Sequence, residues 1–145
     1  MKITKIETYS LLIPDFDSDA CSSAQDNFIV KVFTDEGLYG IGETDTNPWG
    51  AKAVLDSPGT HAMGRGFKDI LIGKDPRNVQ GLWHEMNEKT MMTSRRGLGI
   101  CVMGAIDMAL WDLCGKIYQQ PVWKLLGGSK KDFITPYASL LPEGH

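Results

Sequence analysis

The sequence predicts an α+β domain: strands first, helices second, then one lone strand. Three observations carry this. Up to Ile41 the chain is rich in β-branched and aromatic residues that tend to alternate with polar ones. After Thr60 the apolar period changes from 2 to 3.6. A last apolar stretch, Phe133 to Leu141, follows the helices with nothing after it to pair with, which reads as the start of something further.

The first strand spans Ile3 to Ile13 and stops at Pro14, with imperfect alternation. Phe28 to Thr34 forms the second, with Phe28, Val30 and Val32 on one face and Ile29 and Phe33 on the other. Asp35-Glu36-Gly37 is hairpin chemistry, because Gly37 takes a positive φ without a Cβ clash, and Leu38 to Ile41 returns as the third strand. At least two of these strands run antiparallel.

Two polar segments interrupt this part. Pro14–Asp26 holds Asp17, Ser22 and Gln25; Thr44–Thr60 carries Asn47 and Pro48-Trp49-Gly50. Both read as long loops, and loops of that length are either functional or mobile. Trp49, at a loop tip, either meets a ligand or packs on its own domain.

Helical periodicity then takes over. Met63, Phe67, Ile70 and Leu71 define a helix stopped by Gly73. Asp75-Pro76 predicts a cap and first turn for the next, with Val79, Leu82, Trp83 and Met86 on its buried stripe. Ser94–Gly97 breaks the pattern. Met103, Ile106, Leu110, Leu113 and Ile117 mark the longest helix and the centre of the core. Pro121 opens a short helix, Val122 to Leu126, which Gly127-Gly128 ends.

Composition narrows the function. The chain has 145 residues, with Lys+Arg 15 against Asp+Glu 18 and a net charge of -3. One domain of ordinary size follows, without the basic surface that phosphate neutralisation needs, so nucleic acid is excluded as a partner. No purely apolar run approaches the roughly 20 residues of a membrane span. Lys2, Lys5 and Glu7 spoil the N-terminus as a signal peptide. The three cysteines (Cys21, Cys101, Cys114) form no C-x-x-C pair, so neither a disulfide framework nor a zinc site is indicated. A soluble, cytoplasmic domain is expected, with no membrane partner.

The residues alone identify little chemistry. There is no P-loop; Gly37, Gly40 and Gly42 lie inside a hairpin rather than before a helix; His61, His84 and His145 have no second ligand at metal spacing. Ser22-Ser23 lacks a nucleophile elbow. Cys101 and Cys114 on the apolar helix read as packing. Glu43, at the end of the third strand, either reaches a site or is simply solvated. Asp107 among apolar neighbours reads as an anchor for nearby backbone, and Asp112 with Lys116 as an i,i+4 surface pair.

The stretch AIDMALWDLCGKIYQQPVWKLLGG, Ala105 to Gly128, resembles the signature of the mandelate racemase/muconate lactonizing enzyme group of the enolase superfamily. The hairpin VKVFTDEGLYGIGET (Val30 to Thr44), the run Leu71 to Pro76 and Tyr137-Ala138-Ser139 are similar to the same family in matching order. This implies an enolase-type N-terminal capping domain over residues 1–130: a three-stranded antiparallel meander followed by a helical bundle. Residues 131–145 would open a C-terminal barrel of TIM type, with Phe133–Leu141 as its first strand, the rest of that barrel being missing from this chain. In the family, Mg²⁺ on barrel carboxylates stabilises an enediolate while a barrel Lys or His removes the proton α to a carboxylate. The resemblance therefore places no catalytic residue and no metal ligand in this chain, which alone should be inactive.

Asn27-Phe28, Thr44-Asp45-Thr46-Asn47 and Arg95-Arg96-Gly97 are most similar to acid-sugar dehydratases of the mannonate type. The implied substrate-binding residues are Asn27, Trp49, Asp17, Ser22 and Asn47, and the implied partners a small carboxylate or sugar acid, the barrel domain, and further copies in a homo-oligomer. Racemisation or cycloisomerisation within the superfamily is the alternative. A stand-alone, non-catalytic interaction module, or an inactive fragment, is another.

Overall fold

The computed structural model describes residues 1–20, 25–128 and 133–138. Three strands, β1 (Ile3–Leu12), β2 (Asp26–Thr34) and β3 (Tyr39–Thr44), form one antiparallel sheet in the order β1-β2-β3. Thr34 and Leu38 close the β2–β3 turn with Gly37 at φ 81°. Phe28, Val30 and Val32 all turn to the core and are fully buried.

The imperfect alternation of β1 has a physical cause. Ile3 and Ile6 lie an odd number of residues apart, yet both are buried. A register shift between Ile3 and Lys5 inserts one extra residue and returns both side chains to one face.

Five helices follow among the described residues: α1 (Pro48–Asp56), α2 (Phe67–Leu71), α3 (Val79–Lys89), α4 (Leu98–Tyr118) and α5 (Val122–Leu125); α1 and α4 pack on that face, and the other three pack against these helices and one another. α4 lies across β2 and β3, burying Met103, Ile106, Leu110 and Leu113, with Ile117 packed at the margin. Each fully buried side chain of this size contributes about 1.5–3 kcal/mol. Gly40 and Gly42 occupy the core face of β3, where a methyl group would overlap the backbone oxygens of Ala109 and Ala105 respectively. The strand and helix backbones therefore meet with no side chain between them. At its edge the seam is tied by polar bonds: Asp112 Oδ2 accepts from Ile41 N at 2.9 Å, and Lys116 Nζ donates to Tyr39 O at 2.7 Å. With its few charged residues α4 is long and apolar enough to cross a membrane, at a mean hydropathy of 1.5, but half of that stretch is buried inside the domain.

Several expectations are corrected. Thr44–Thr60 is not a loop: Asn47 caps α1 by accepting from Gly50 N at 2.9 Å, and Pro48 is the first helical residue. Trp49 thus sits in a first helical turn rather than at a loop tip. α2 begins only at Phe67, because Gly64 closes a turn on His61 and Gly66 is extended as the residue before the helix, pressed against Ser57; Met63 is exposed. α3 starts at Val79 with Asn78 as its cap, accepting from Gly81 N. Asp75 instead binds the backbone and guanidinium of Arg77, which holds its carboxyl down at about 2. Val79, Leu82 and Met86 are buried as expected, but Trp83 is 38% exposed against His84. Residues 133–138 have no strand structure and are exposed, since no other described strand lies beside them to share backbone bonds. Residues 139–141 of that expected strand, Cys21 and Ser22 lie outside the described residues.

Cys114 is buried, which pushes its thiol up, and Cys101 is partly covered. Asp107 does not anchor backbone: it has no hydrogen bond or ion pair among the described residues, and burial raises its carboxyl above the usual range.

Candidate functional site

An antiparallel meander places the end of β1, the start of β2 and the end of β3 at one edge of the sheet. Leu12 pairs with Asp26, and Phe28 with Thr44. The β1–β2 connection and the start of α1 therefore meet there, and Ser10 Oγ donates to Pro48 O at 3.4 Å across that junction. The connection is held by its own polar groups. Gln25 Oε1 accepts from Asp17 N at 2.6 Å while Gln25 Nε2 donates to Asp17 O at 2.8 Å. Ile13 N donates to Gln25 O at 2.9 Å, and Asp17 Oδ1 accepts from Asp19 N.

Two adjoining clefts result. One, of about 290 Å³, is lined by Asp17, Asn47 and Trp49 together with Leu12, Phe16 and Asp26. The other, of about 440 Å³, is lined by Asn27, Pro14 and Ile13 and shares Leu12, Gln25 and Asp26 with the first. The fold thus gathers Asp17, Asn47 and Trp49 and sets Asn27 just beyond them; Ser22 is not among the described residues.

The chemistry available differs from residue to residue. Asn47 spends its carbonyl on the α1 cap, leaving its amide nitrogen for a ligand. Trp49, 57% exposed, offers a large apolar face. Asn27 Nδ2 donates to Glu43 Oε2 at 2.8 Å, so Glu43 is not merely solvated. Among the described residues Asn27 Oδ1 and Asp26 Oδ1 are buried with no partner, an arrangement costing about 1–3 kcal/mol per group until a donor arrives. Sequence reasoning missed Asp26 as a site residue. The signal was two consecutive polar residues opening an apolar strand, which alternation sends to opposite faces.

Two other clefts among the described residues lack unpartnered buried acceptors. About 490 Å³ between α3, α4 and α5 is lined by Val79, Trp111, Tyr118 and Leu125 together with Arg77, Asn78, Gln80 and Cys114, and Arg77 is already paired with Asp75. About 430 Å³ beside His61 and Arg65 includes Lys89, whose ammonium is already paired with Glu85. Among the described residues no group of three or more His, Cys, Asp or Glu side chains could hold a metal ion, so they do not fit a resident Mg²⁺.

Residues 13–127 match the family described as mandelate racemase / muconate lactonizing enzyme, N-terminal domain. The chain is 35% identical over 113 residues to a D-galactonate dehydratase family member, RspA, of Halomonas elongata, covering 77% of this chain and 26% of that protein. It is 32% identical over 111 residues to an L-rhamnonate dehydratase of Saccharopolyspora erythraea, with coverages of 77% and 26%. The crystal structure of the 3,6-anhydro-D-galactonate cycloisomerase from Zobellia galactanivorans superposes with a TM-score of 0.76 at 34% identity, covering 94% of this chain and 35% of that one. The chain spans about a quarter of the length of the curated relatives it matches.

Proposed function

Because this chain belongs to the mandelate racemase / muconate lactonizing enzyme family, as that family's N-terminal domain, we propose that it is the capping and specificity domain of a Mg²⁺-dependent, cytoplasmic, homo-oligomeric acid-sugar dehydratase. In this reading a barrel domain of the same enzyme carries the metal and the base that takes the proton α to the carboxylate. The chain's own residues bind, orient and exclude water; alone, the chain is inactive.

One observation carries the reading: Asp26, whose Oδ1 has no partner among the described residues, lines the cleft that holds Asn47 and Trp49, and Asn27, with an acceptor in the same condition, lines the adjoining one. Sugar hydroxyls donate hydrogen bonds, and the acceptors lack donors. The indole supplies an apolar face for the carbon skeleton and keeps water out. The similarity to the galactonate- and rhamnonate-type dehydratases supports the substrate class. The likeness to a cycloisomerase keeps an isomerase as the second reading, distinguished by whether the product has lost water.

The test uses the full-length enzyme. Asn27→Ala should lower kcat/KM on the best sugar acid roughly tenfold, because a substrate hydroxyl loses its acceptor. Mg²⁺ affinity should stay unchanged. An unaltered kcat/KM overturns the role of Asn27, and weakened Mg²⁺ binding overturns the division of labour between the domains.

A further inference from the structure

Glu43 faces the side chain of Asn27 for a geometric reason. The pairing of Ile29 with Glu43 puts Glu43 on the same face of the sheet as Asn27, one diagonal step away on the adjoining strand. The Asn27 Nδ2–Glu43 Oε2 distance of 2.8 Å is a full hydrogen bond. An ionised carboxylate only accepts, so this bond admits one end of the amide and refuses the other. The nitrogen must face Glu43, which turns Oδ1 away from it, to where it is buried and has no donor among the described residues. Asp26 Oδ1, on the preceding residue, is also buried without a partner among the described residues, but alternation turns that side chain to the opposite face of the sheet.

We propose that Glu43 is a positioning residue. It holds the Asn27 amide so that this residue offers the cleft its carbonyl oxygen, an acceptor, and therefore takes a hydroxyl-bearing part of the substrate, not its carboxylate. This rests on the acid-sugar reading for the identity of the ligand, though not for the orientation of the amide. Without Glu43 the amide is free to turn its NH₂ inward, and the preference for a donor is lost. An oxyanion at this position would meet the Asn27 carbonyl, which repels it.

Two variants separate positioning from bulk structure. Glu43→Gln keeps an acceptor oxygen for Asn27 Nδ2; Glu43→Leu removes it. In this chain labelled with ¹⁵N, one Asn27 side-chain amide proton should be shifted downfield and protected from solvent exchange. It should remain so in Glu43→Gln and lose both properties in Glu43→Leu. Identical Asn27 signals in wild type and Glu43→Leu overturn the proposal.

In the full-length enzyme, Glu43→Leu should raise KM for a sugar acid roughly tenfold with little change in kcat, while Glu43→Gln stays near wild type. On an Asn27→Ala background Glu43→Leu should have no further effect. Equal losses from Glu43→Leu with and without Asn27 would mark Glu43 as merely structural and overturn its positioning role. Should the wild-type enzyme dehydrate no sugar acid, the acid-sugar reading fails, and the amide signals still decide the role of Glu43.

Discussion

Where β3 lies on α4, glycine meets the backbone of Ala105 and Ala109, and the α4 side chains turned to the core, Ala105, Ile106, Ala109, Leu110 and Leu113, are apolar and buried. A few residues further along the same sheet, around Asp26, Asn27 and Asn47, polar atoms gather and two buried acceptors stay unmatched. Among the described residues the seam holds no buried side-chain polar atom without a partner, whereas the site holds two. A protein can hold unsatisfied groups at a site when the cost of about 1–3 kcal/mol each is offset by a core that yields nowhere. The difference teaches which substitutions act on folding and which on binding.

The sharpest way to break the comparison is Gly42→Ala. The added methyl would overlap the backbone oxygen of Ala105, which no side-chain rotation can relieve, so sheet and helix must separate. A loss of about 4–5 kcal/mol or more is expected, an exceptional value for one methyl group. A denaturant midpoint close to wild type would mean the two backbones are less tightly apposed. Leu110→Ala, deep in the same seam, should cost roughly 2–5 kcal/mol through the cavity it leaves. A shift below 1 kcal/mol in equilibrium unfolding would put the core elsewhere.

At the sheet edge the effects should be smaller. Asn47→Ala removes the α1 cap and should lower stability by about 1 kcal/mol. A loss as large as that of Leu110→Ala would show that the edge is also part of the folding core. The smallest effect belongs to Asp107, whose folded carboxyl is raised by burial alone. The folded state therefore binds this proton more tightly than the unfolded chain. The stability it confers is complete below the ordinary carboxylate value of about 3.9 and is lost as pH rises through the raised one. Asp107→Asn, which cannot ionise, should be slightly more stable than wild type at pH 7, with the advantage gone below the ordinary carboxylate value. Thermal melts at both pH values check this, and a less stable variant at pH 7 would reveal a missed partner.

The seam was far more legible in the sequence than the site. The α4 stripe and the Phe28-Val30-Val32 face follow from periodicity, which burial enforces directly. α1 escaped because a nine-residue helix at the rim buries only Pro48, Ala51 and Leu55, and the period is faint. Its Asn47-Pro48 start was nonetheless the same kind of signal that was read at Asp75-Pro76, where the structure puts a turn instead. Local capping chemistry is thus ambiguous until tertiary contacts select one site. Asp17, Asn47 and Trp49 were singled out by their segments, and the meander brings them together. Asp26 and the orientation of Asn27 depend on strand pairing, which a single sequence does not display.

The apolar character of α4 has a consequence during synthesis. A helix of this length and hydropathy, released naked from the ribosome, is the sort of segment that aggregates or is taken for a membrane anchor. Here β1, β2, β3, α1 and α3 all precede it in the chain, so nearly every surface that shields it has already emerged. A circular permutant that opens at Leu98 would reverse that order and leave α4 waiting, unsheathed, for the sheet meant to cover it.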